Sequence, residues 1–165
     1  MPYSNANESP DRAFDGRTTL VYFVFPEGVA KLGGGAFRGT LLSGALIIPN
    51  DVTEIGSSAF YGTNITSLQL PHNIKVLGNG AFSSCTSLAG TLSLPESLES
   101  IGDSCFTTCV MLSGNIVIPS KITRIPSNCF RHCDGLTGDL IIHEGVTEIG
   151  GDAFWNCKNL KGRLV

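Results

Sequence analysis

A phenylalanine returns at nearly constant intervals along this chain, and that interval limits what the chain can fold into. Consecutive members of the series lie 23, 22, 24, 24 and 24 residues apart, and an earlier Phe14 lies 23 residues before the first of them. The series consists of Phe37, Phe60, Phe82, Phe106, Phe130 and Phe154. A unit of this size cannot bury its apolar side chains alone, whereas stacked units share one continuous core. The spacing therefore predicts a solenoid of 22–24-residue repeats.

The pattern inside one unit predicts its local structure. Each unit reads L-x-I-P, then V-x-x-I-G, then A-F followed by a small residue and L-x-G. Because L-x-I alternates apolar and polar positions, it predicts a strand with one buried face, and the proline ends that strand. The V-x-x-I-G segment predicts a second extended piece, and a short helical or 3-10 turn is expected to carry the phenylalanine inward. We expect a curved parallel β-sheet with neighbouring strands about 4.8 Å apart.

The repeat divides the chain into a lead and one array. Residues 20–165 form a single array of about six repeats. Residues 1–19 are a lead, a cap or a degenerate first repeat, because AFDG at 13–16 matches the later pattern only in part. The chain stops at LKGRLV, partway into the next strand, and repeat proteins normally cover such an edge. We therefore expect the sequence to be a fragment of a longer array, truncated at its C-terminus.

Two cysteine pairs, CFTTC at 105–109 and CFRHC at 129–133, could indicate chemistry or packing. One repeat column holds Cys85, Cys109, Cys133 and Cys157, with Thr40 and Thr63 in earlier units. A second column holds Cys105 and Cys129, with alanine in the other units. Both columns require a small side chain, and free cysteine behaves as a small apolar residue, so we interpret the thiols as core packing. A zinc site built from neighbouring pairs and a redox pair are the alternatives.

Composition and local motifs exclude several classes of function. The net charge of −3 offers no basic stripe for nucleic acid. No apolar stretch approaches the roughly 20 residues that span a bilayer, and the polar start MPYSNANESPDRAF contains no secretory signal. The glycine run in KLGGGAF, 31–37, lacks the G-K-[ST] ending of a phosphate loop, so it is the turn of an ordinary unit.

No catalytic constellation is expected. His72, His132 and His143 fall in three different repeat columns. Glu96 and Glu144 lie two units apart, which corresponds to roughly 10 Å and is wide for a retaining carboxylate pair. We therefore predict no catalytic residue, no metal ligand and no cofactor.

The aligned units resemble the BspA-like, Treponema pallidum-type, leucine-rich-repeat proteins. The residues that carry the resemblance are IPNDVTEIGSSAFYGT at 48–63, CTSLAGTLSLPESLESIG at 85–102 and CDGLTGDLIIHEGVTEIGGDAFWNC at 133–157. The resemblance implies a strand-rich leucine-rich-repeat solenoid of the α/β horseshoe class. It also implies a non-enzymatic, surface-displayed or secreted protein that binds host matrix or plasma proteins, such as fibronectin and fibrinogen, or another cell. The missing signal segment leaves a cytoplasmic location open.

Register identifies two columns of candidate binding residues. The outward positions of the L-x-I strand are Val24, Ile47, Gln69, Ser93, Val117 and Ile141, and Thr91, Asn115 and Asp139 flank them. Contiguous exposed apolar surface marks docking sites, although β-branched residues also simply favour strands. The column after the phenylalanine includes Arg38, Tyr61, Arg131 and Trp155. These residue types are enriched at binding hot spots, but each Arg and the aromatic residue one unit later could instead form a cation–π contact.

Two functions from different classes follow. The first is a protein-binding recognition module, part of a cell-surface or secreted adhesin-like protein. The alternative is an intracellular structural or scaffold array without a dedicated ligand.

Overall fold

The computed structural model describes residues 8–164, with side chains as far as residue 161. This part of the chain contains short strands and turns and no helix. Its strands are β1 (Glu8–Ser9), β2 (Lys31–Leu32), β3 (Ser43–Ile47), β4 (Glu54–Ile55), β5 (Asn64–Gln69), β6 (Val76–Leu77), β7 (Gly90–Thr91), β8 (Ser100–Ile101), β9 (Leu112–Ser113), β10 (Ile116–Val117), β11 (Arg124–Ile125), β12 (Asp139–Ile142), β13 (Glu148–Ile149) and β14 (Lys161–Leu164). All paired strands are parallel, as the repeat predicts.

The V-x-x-I-G segments form the longest ladder, in the order β1-β2-β4-β6-β8. The N–H of the glycine after the segment donates to a carbonyl one coil back at Gly56, Gly78, Gly102 and Gly150, each at 2.8 Å, as from Gly102 to Leu77. The ladder stops after β8, and β11 and β13 pair separately. Pro126 occupies the glycine position at that break, and a proline has no N–H to donate to Ile101.

The L-x-I segments pair less regularly, because the coils differ in length there. From the proline position to the next phenylalanine, every unit spans 11 positions, as in 49–60 and 95–106. From the phenylalanine to the next proline position, the span is 12 in 37–49, 11 in 60–71 and 13 in 82–95, 106–119 and 130–143. Strands β3 and β5 therefore pair through a register shift at Gly44/Ala45, whereas β10 and β12 pair in register. Where the span rises from 11 to 13, residues 92–94 form no strand.

The phenylalanines form one internal column, as the spacing predicts. Between Phe37 and Phe154, successive ring centroids lie 5.1–5.5 Å apart and the ring planes differ by only 3–7°. Phe14 continues the column at 5.2 Å from Phe37. The rings from Phe37 to Phe130 are completely buried. This column is the centre of the solenoid core.

The short helical turns expected around the phenylalanine do not form among the described residues. Two residues before and two after each phenylalanine, the backbone is left-handed, with φ of +62° at Gly35 and +63° at Gly39. A left-handed residue interrupts a right-handed helix, so a chain of tight turns takes its place. The N–H groups of Gly35, Phe37 and Gly39 then donate to the next coil at 2.7–2.8 Å. The turns therefore contribute a second set of hydrogen bonds between coils.

Candidate functional site

The exposed strand face consists of the outward residues of the L-x-I segments. In β3, Ile47 is 60% exposed, while Leu46 and Ile48 on either side of it are buried. Val117 repeats this arrangement between Ile116 and Ile118, with 48% exposure. The alternation predicted from the sequence is therefore confirmed at these two strands, where each exposed residue lies between two buried ones.

Polar residues divide this face into two apolar parts. Val24 is 67% exposed and lies one coil before Ile47, whereas Gln69 and Ser93 occupy the two following coils and are also exposed. The apolar positions resume with Val117 and Ile141. Ile141 is half-buried and so less exposed than the other outward residues. The reason is that β12 is paired on both sides, with β10 and with β14. The binding role of this column remains a prediction.

The polar residues that flank the face also support the fold. Thr91 and Asn115 are exposed, while Asp139 is half-buried. The N–H of Asp139 donates to Oδ1 of Asn115 at 2.9 Å, one coil away. Asn79 accepts the N–H of Asp103 in the same manner at 2.9 Å. The side-chain oxygen of Asn115 therefore links two coils, and its NH2 group can donate to a partner.

The second candidate column pairs each arginine with the aromatic residue one coil later. The guanidinium carbon of Arg38 lies 5.6 Å from the Tyr61 ring centroid, and that of Arg131 lies 4.7 Å from the Trp155 ring centroid. Both distances fit cation–π contacts. The predicted neighbours are confirmed, and their role in binding a partner stays a prediction.

Around Trp155 the contacts extend into a cluster. The His132 ring meets the Trp155 ring edge-on, with centroids 4.7 Å apart. The Asn156 amide lies 2.9 Å from Nδ1 of His132 and can donate to it. The Trp155 side chain nevertheless remains about half exposed, so it can still contact a partner.

The cysteines pack inside the solenoid. All six are free; five are buried and Cys157 is half-buried. Burial raises the pKa of Cys85 to about 11 and holds the pKa values of the Cys105 and Cys129 thiols well above their ordinary range. The core interpretation of the cysteines is confirmed by this burial. The thiols are consequently held in the protonated, poorly nucleophilic form.

A hydrogen bond explains why one column accepts both Thr and Cys. The Cys85 thiol donates to the Phe60 carbonyl at 3.1 Å, and the Cys109 thiol donates to the Phe82 carbonyl at 3.2 Å. In an earlier unit the Thr63 hydroxyl donates to the same Phe60 carbonyl at 3.0 Å. The column therefore requires a small side chain that can donate. The sequence already indicates this requirement, because Cys and Thr are both small and both can donate a hydrogen bond. Only their small size was used to predict the core packing.

The titratable side chains support the array and do not converge. Within residues 8–161, no three His, Cys, Asp or Glu side chains come together as ligands for a metal ion. Exposed ion pairs join neighbouring coils, as between Arg124 and Glu148 at 3.0 Å. His143 replaces the proline of the unit, and its Nε2 lies 3.1 Å from the Pro119 carbonyl and 3.2 Å from that of Ile122. The imidazole thereby joins two coils.

An apolar cleft that sequence reasoning missed lies at the N-terminal part of the strand face. Its volume is about 360 Å³, and it lies between residues 22–25 and β3. Tyr22 beside it is 73% exposed. The run VYFVF at 21–25 was the available signal, because it is the longest apolar stretch in any L-x-I position.

Residues 8–164 contain no helix with the length and apolarity that a bilayer crossing requires.

Comparison with known proteins identifies the repeat. The profile of the BspA type leucine rich repeat region matches residues 7–137 and 46–161, in six copies. The crystal structure of a leucine rich repeat protein from T. pallidum is 26% identical, with a TM-score of 0.78, and the match covers 94% of this chain and 72% of that one. A leucine-rich repeat protein from Bacteroides ovatus is also 26% identical, with a TM-score of 0.66 and coverage of 94% and 45%. No curated protein matches the chain.

Proposed function

We propose that this chain, which belongs to the BspA-type leucine-rich-repeat family, is a protein-binding recognition module within a cell-surface or secreted adhesin-like protein. Leucine-rich-repeat arrays are general protein-interaction modules that bind through an extended surface. Such a module works without catalytic residues or a cofactor. Host matrix or plasma proteins, or the surface of another cell, are the proposed partners.

The observation that supports this proposal most strongly is the exposure of β-branched residues whose immediate neighbours in the chain are buried. Ile47 and Val117 are about half exposed or more, and the buried residues beside them anchor the backbone that carries them. A backbone that is already ordered loses little conformational entropy on docking, which favours affinity. Asn115 and Gln69 on the same face would supply polar contacts around the apolar anchors.

Capture of defined proteins tests the proposal. Purified fibronectin and fibrinogen would be presented to the wild type and to the double variant Ile47→Ser/Val117→Ser by surface plasmon resonance. A matched control is Met111→Ser/Ile149→Ser, because these side chains are 56% and 55% exposed and lie outside the L-x-I column. We expect binding by the wild type and the control and a loss of at least about tenfold in the first variant.

Equal binding by both variants would exclude the strand face as the docking site. No binding by the wild type at micromolar concentration would exclude these two ligands. The proposed surface location is tested separately, by protease treatment of intact cells that produce the protein, since a surface array is cleaved and an internal one is protected.

The alternative, a structural array without a ligand, is supported by the second column. Arg38 and Arg131 are already engaged by Tyr61 and Trp155 within the array. For these two arginines, the cation–π contacts within the array are a sufficient reason for the residue type, and no external partner is needed to explain it.

A further inference from the structure

Residues 22–25 form no strand and have no main-chain partner among residues 8–164. Within residues 8–164, no main-chain N–H or C=O of these four residues hydrogen-bonds to another residue of the chain. Immediately before them, the Val21 carbonyl accepts the N–H of Ser43 at 3.2 Å, and there the pairing to β3 ends. A row of main-chain groups without a partner at the edge of paired strands is a template for another strand, so this segment offers donors and acceptors to one.

Two phenylalanines hold this segment in place. The Phe23 ring lies 4.8 Å from that of Phe37 and 5.0 Å from that of Phe14, and the Phe25 ring lies 5.9 Å from Phe37. The segment is therefore attached to the end of the aromatic column. Its alternate residues, Tyr22 and Val24, point outward and are 73% and 67% exposed.

The cleft beside this segment is apolar and uncharged. Its walls include Phe25 and Val24 on one side and Leu42, Leu46 and Ile47 on the other, and none of its lining residues carries a charge. Its volume of about 360 Å³ is in the lower part of the range for ligand sites. A charged side chain would lose its hydration there without gaining a partner.

We propose that residues 22–25 and the cleft beside them bind an extended peptide segment of a partner protein, with uncharged apolar residues at alternate positions. The peptide backbone pairs with the N–H and C=O groups of residues 22–25 that have no partner among the described residues, and alternate side chains enter the cleft beside Leu46 and Ile47. This is strand addition, in which main-chain bonds supply affinity and pockets for alternate residues supply specificity. The inference rests on the proposed function, since it specifies the partner chemistry of the same face.

A panel of labelled hexapeptides tests this inference. Each has threonine at alternate positions, and the other three positions are all valine, all phenylalanine, all glutamate or all lysine. A fifth peptide carries proline at the central apolar position, which removes a main-chain donor. Binding is measured by fluorescence anisotropy, and the site is located from amide shifts in the NMR spectrum of the complete chain.

We expect the valine or phenylalanine peptide to bind, the charged and proline peptides to bind at least about tenfold more weakly, and the amides of residues 22–25 to shift. Val24→Lys should weaken binding by at least about tenfold, and Tyr22→Ser should also weaken it. Val117→Lys is the matched control, since it places the same charge on the same face four coils away, and it should leave the affinity unchanged.

Several results would overturn the inference. One is the absence of binding by any apolar peptide at 1 mM, and another is equal affinity for wild type and Val24→Lys. A concentration-dependent dimer that Val24→Lys abolishes, without peptide binding, would assign the cleft to a second copy of the chain. If the peptides fail while fibronectin or fibrinogen capture still depends on Ile47 and Val117, only this inference fails and the proposed function stands.

Discussion

The glycine after each V-x-x-I strand lies against the backbone of the preceding coil, and Gly102 provides a direct test of that packing. A Cβ at Gly102 would lie 2.6 Å from the carbonyl carbon of Gly78 and would also overlap the main-chain nitrogen of Asn79. Main-chain atoms cannot rotate away as a flexible side chain can. In Gly102→Ala, therefore, the two coils have to separate, and the bond from the 102 N–H to Leu77 lengthens beyond its 2.8 Å.

The expected loss of stability follows from three contributions. Inserting a methyl group into a close-packed site costs about 1–3 kcal/mol, and weakening one hydrogen bond costs about 1 kcal/mol. Replacing glycine by alanine returns about 0.4–1 kcal/mol by restricting the unfolded chain. We therefore expect Gly102→Ala to lower the free energy of unfolding by about 1–3.5 kcal/mol. For a chain of this length, that corresponds to a fall in Tm of roughly 2–14 °C.

Gly151→Ala is the matched control. No atom lies within 4 Å of a Cβ built at Gly151, and its φ is not in the left-handed region. This variant should therefore gain about 0.4–1 kcal/mol from the unfolded state alone. Urea unfolding followed by circular dichroism gives both values, and hydrogen exchange should show faster exchange in β6 and β8 for Gly102→Ala only. Equal midpoints for the two variants would refute the close-packing argument.

Four further predictions concern the core and the turns around it. Phe106→Ala should lower the free energy of unfolding by about 3–5 kcal/mol, and Phe154→Ala should lower it by at least about 1 kcal/mol less. The difference is expected because Phe106 stacks on two rings, whereas Phe154 stacks on one among the described residues. Similar urea midpoints for the two variants would contradict the aromatic column. Since burial raises the pKa of Cys85 to about 11, the Cys85 contribution to stability is complete below pH 8.5 and decreases as the pH rises from about 8.5 toward 11. Chemical unfolding across that range should show a smaller decrease for Cys85→Ala than for the wild type, and an unchanged slope would disprove the assignment. Thiol labelling of the native protein at pH 8 should modify Cys157 first, because it is only half-buried, and mass spectrometry shows whether another thiol precedes it. Thr108 has a φ of +61°, a left-handed conformation that is unfavourable for a β-branched residue and that asparagine tolerates better. Thr108→Asn should therefore raise the free energy of unfolding by up to about 1 kcal/mol. A lower Tm for this variant would contradict the prediction.

Contacts between coils were predictable from the sequence because stacking converts a spacing of about two dozen residues into direct contact. The position of Phe130 between Phe106 and Phe154 follows from that spacing alone. The contact between Arg131 and Trp155 follows in the same way, since both residues come directly after a column phenylalanine. These predictions needed only the register and no knowledge of the backbone path.

The backbone path itself depended on details that the register does not contain. The turns around Phe106 place Ser104 and Thr108 in left-handed conformations, although serine and threonine rarely adopt them. Hydrogen bonds to the next coil compensate, as from the Thr108 N–H to the Arg131 carbonyl at 2.7 Å. A repeat pattern with glycine in only some units does not show that the other residues have the same conformation. The expectation of helical turns was wrong for this reason.

Each repeat consists of one segment of constant length, which stabilises the array, and one segment of variable length, which carries the proposed binding face. The 11-position span that ends at each phenylalanine is constant, and it carries both the glycine contacts and the longest ladder. The other span varies between 11 and 13 positions, and it carries the exposed face, the bulge at Gly44/Ala45 and the cleft beside residues 22–25. A change of length in a constant span would displace every ladder bond of its coil, whereas the same change in a variable span alters one local pairing. Changes on the proposed binding face therefore leave the stacking of the core intact, so that this face can differ from coil to coil without unfolding the array.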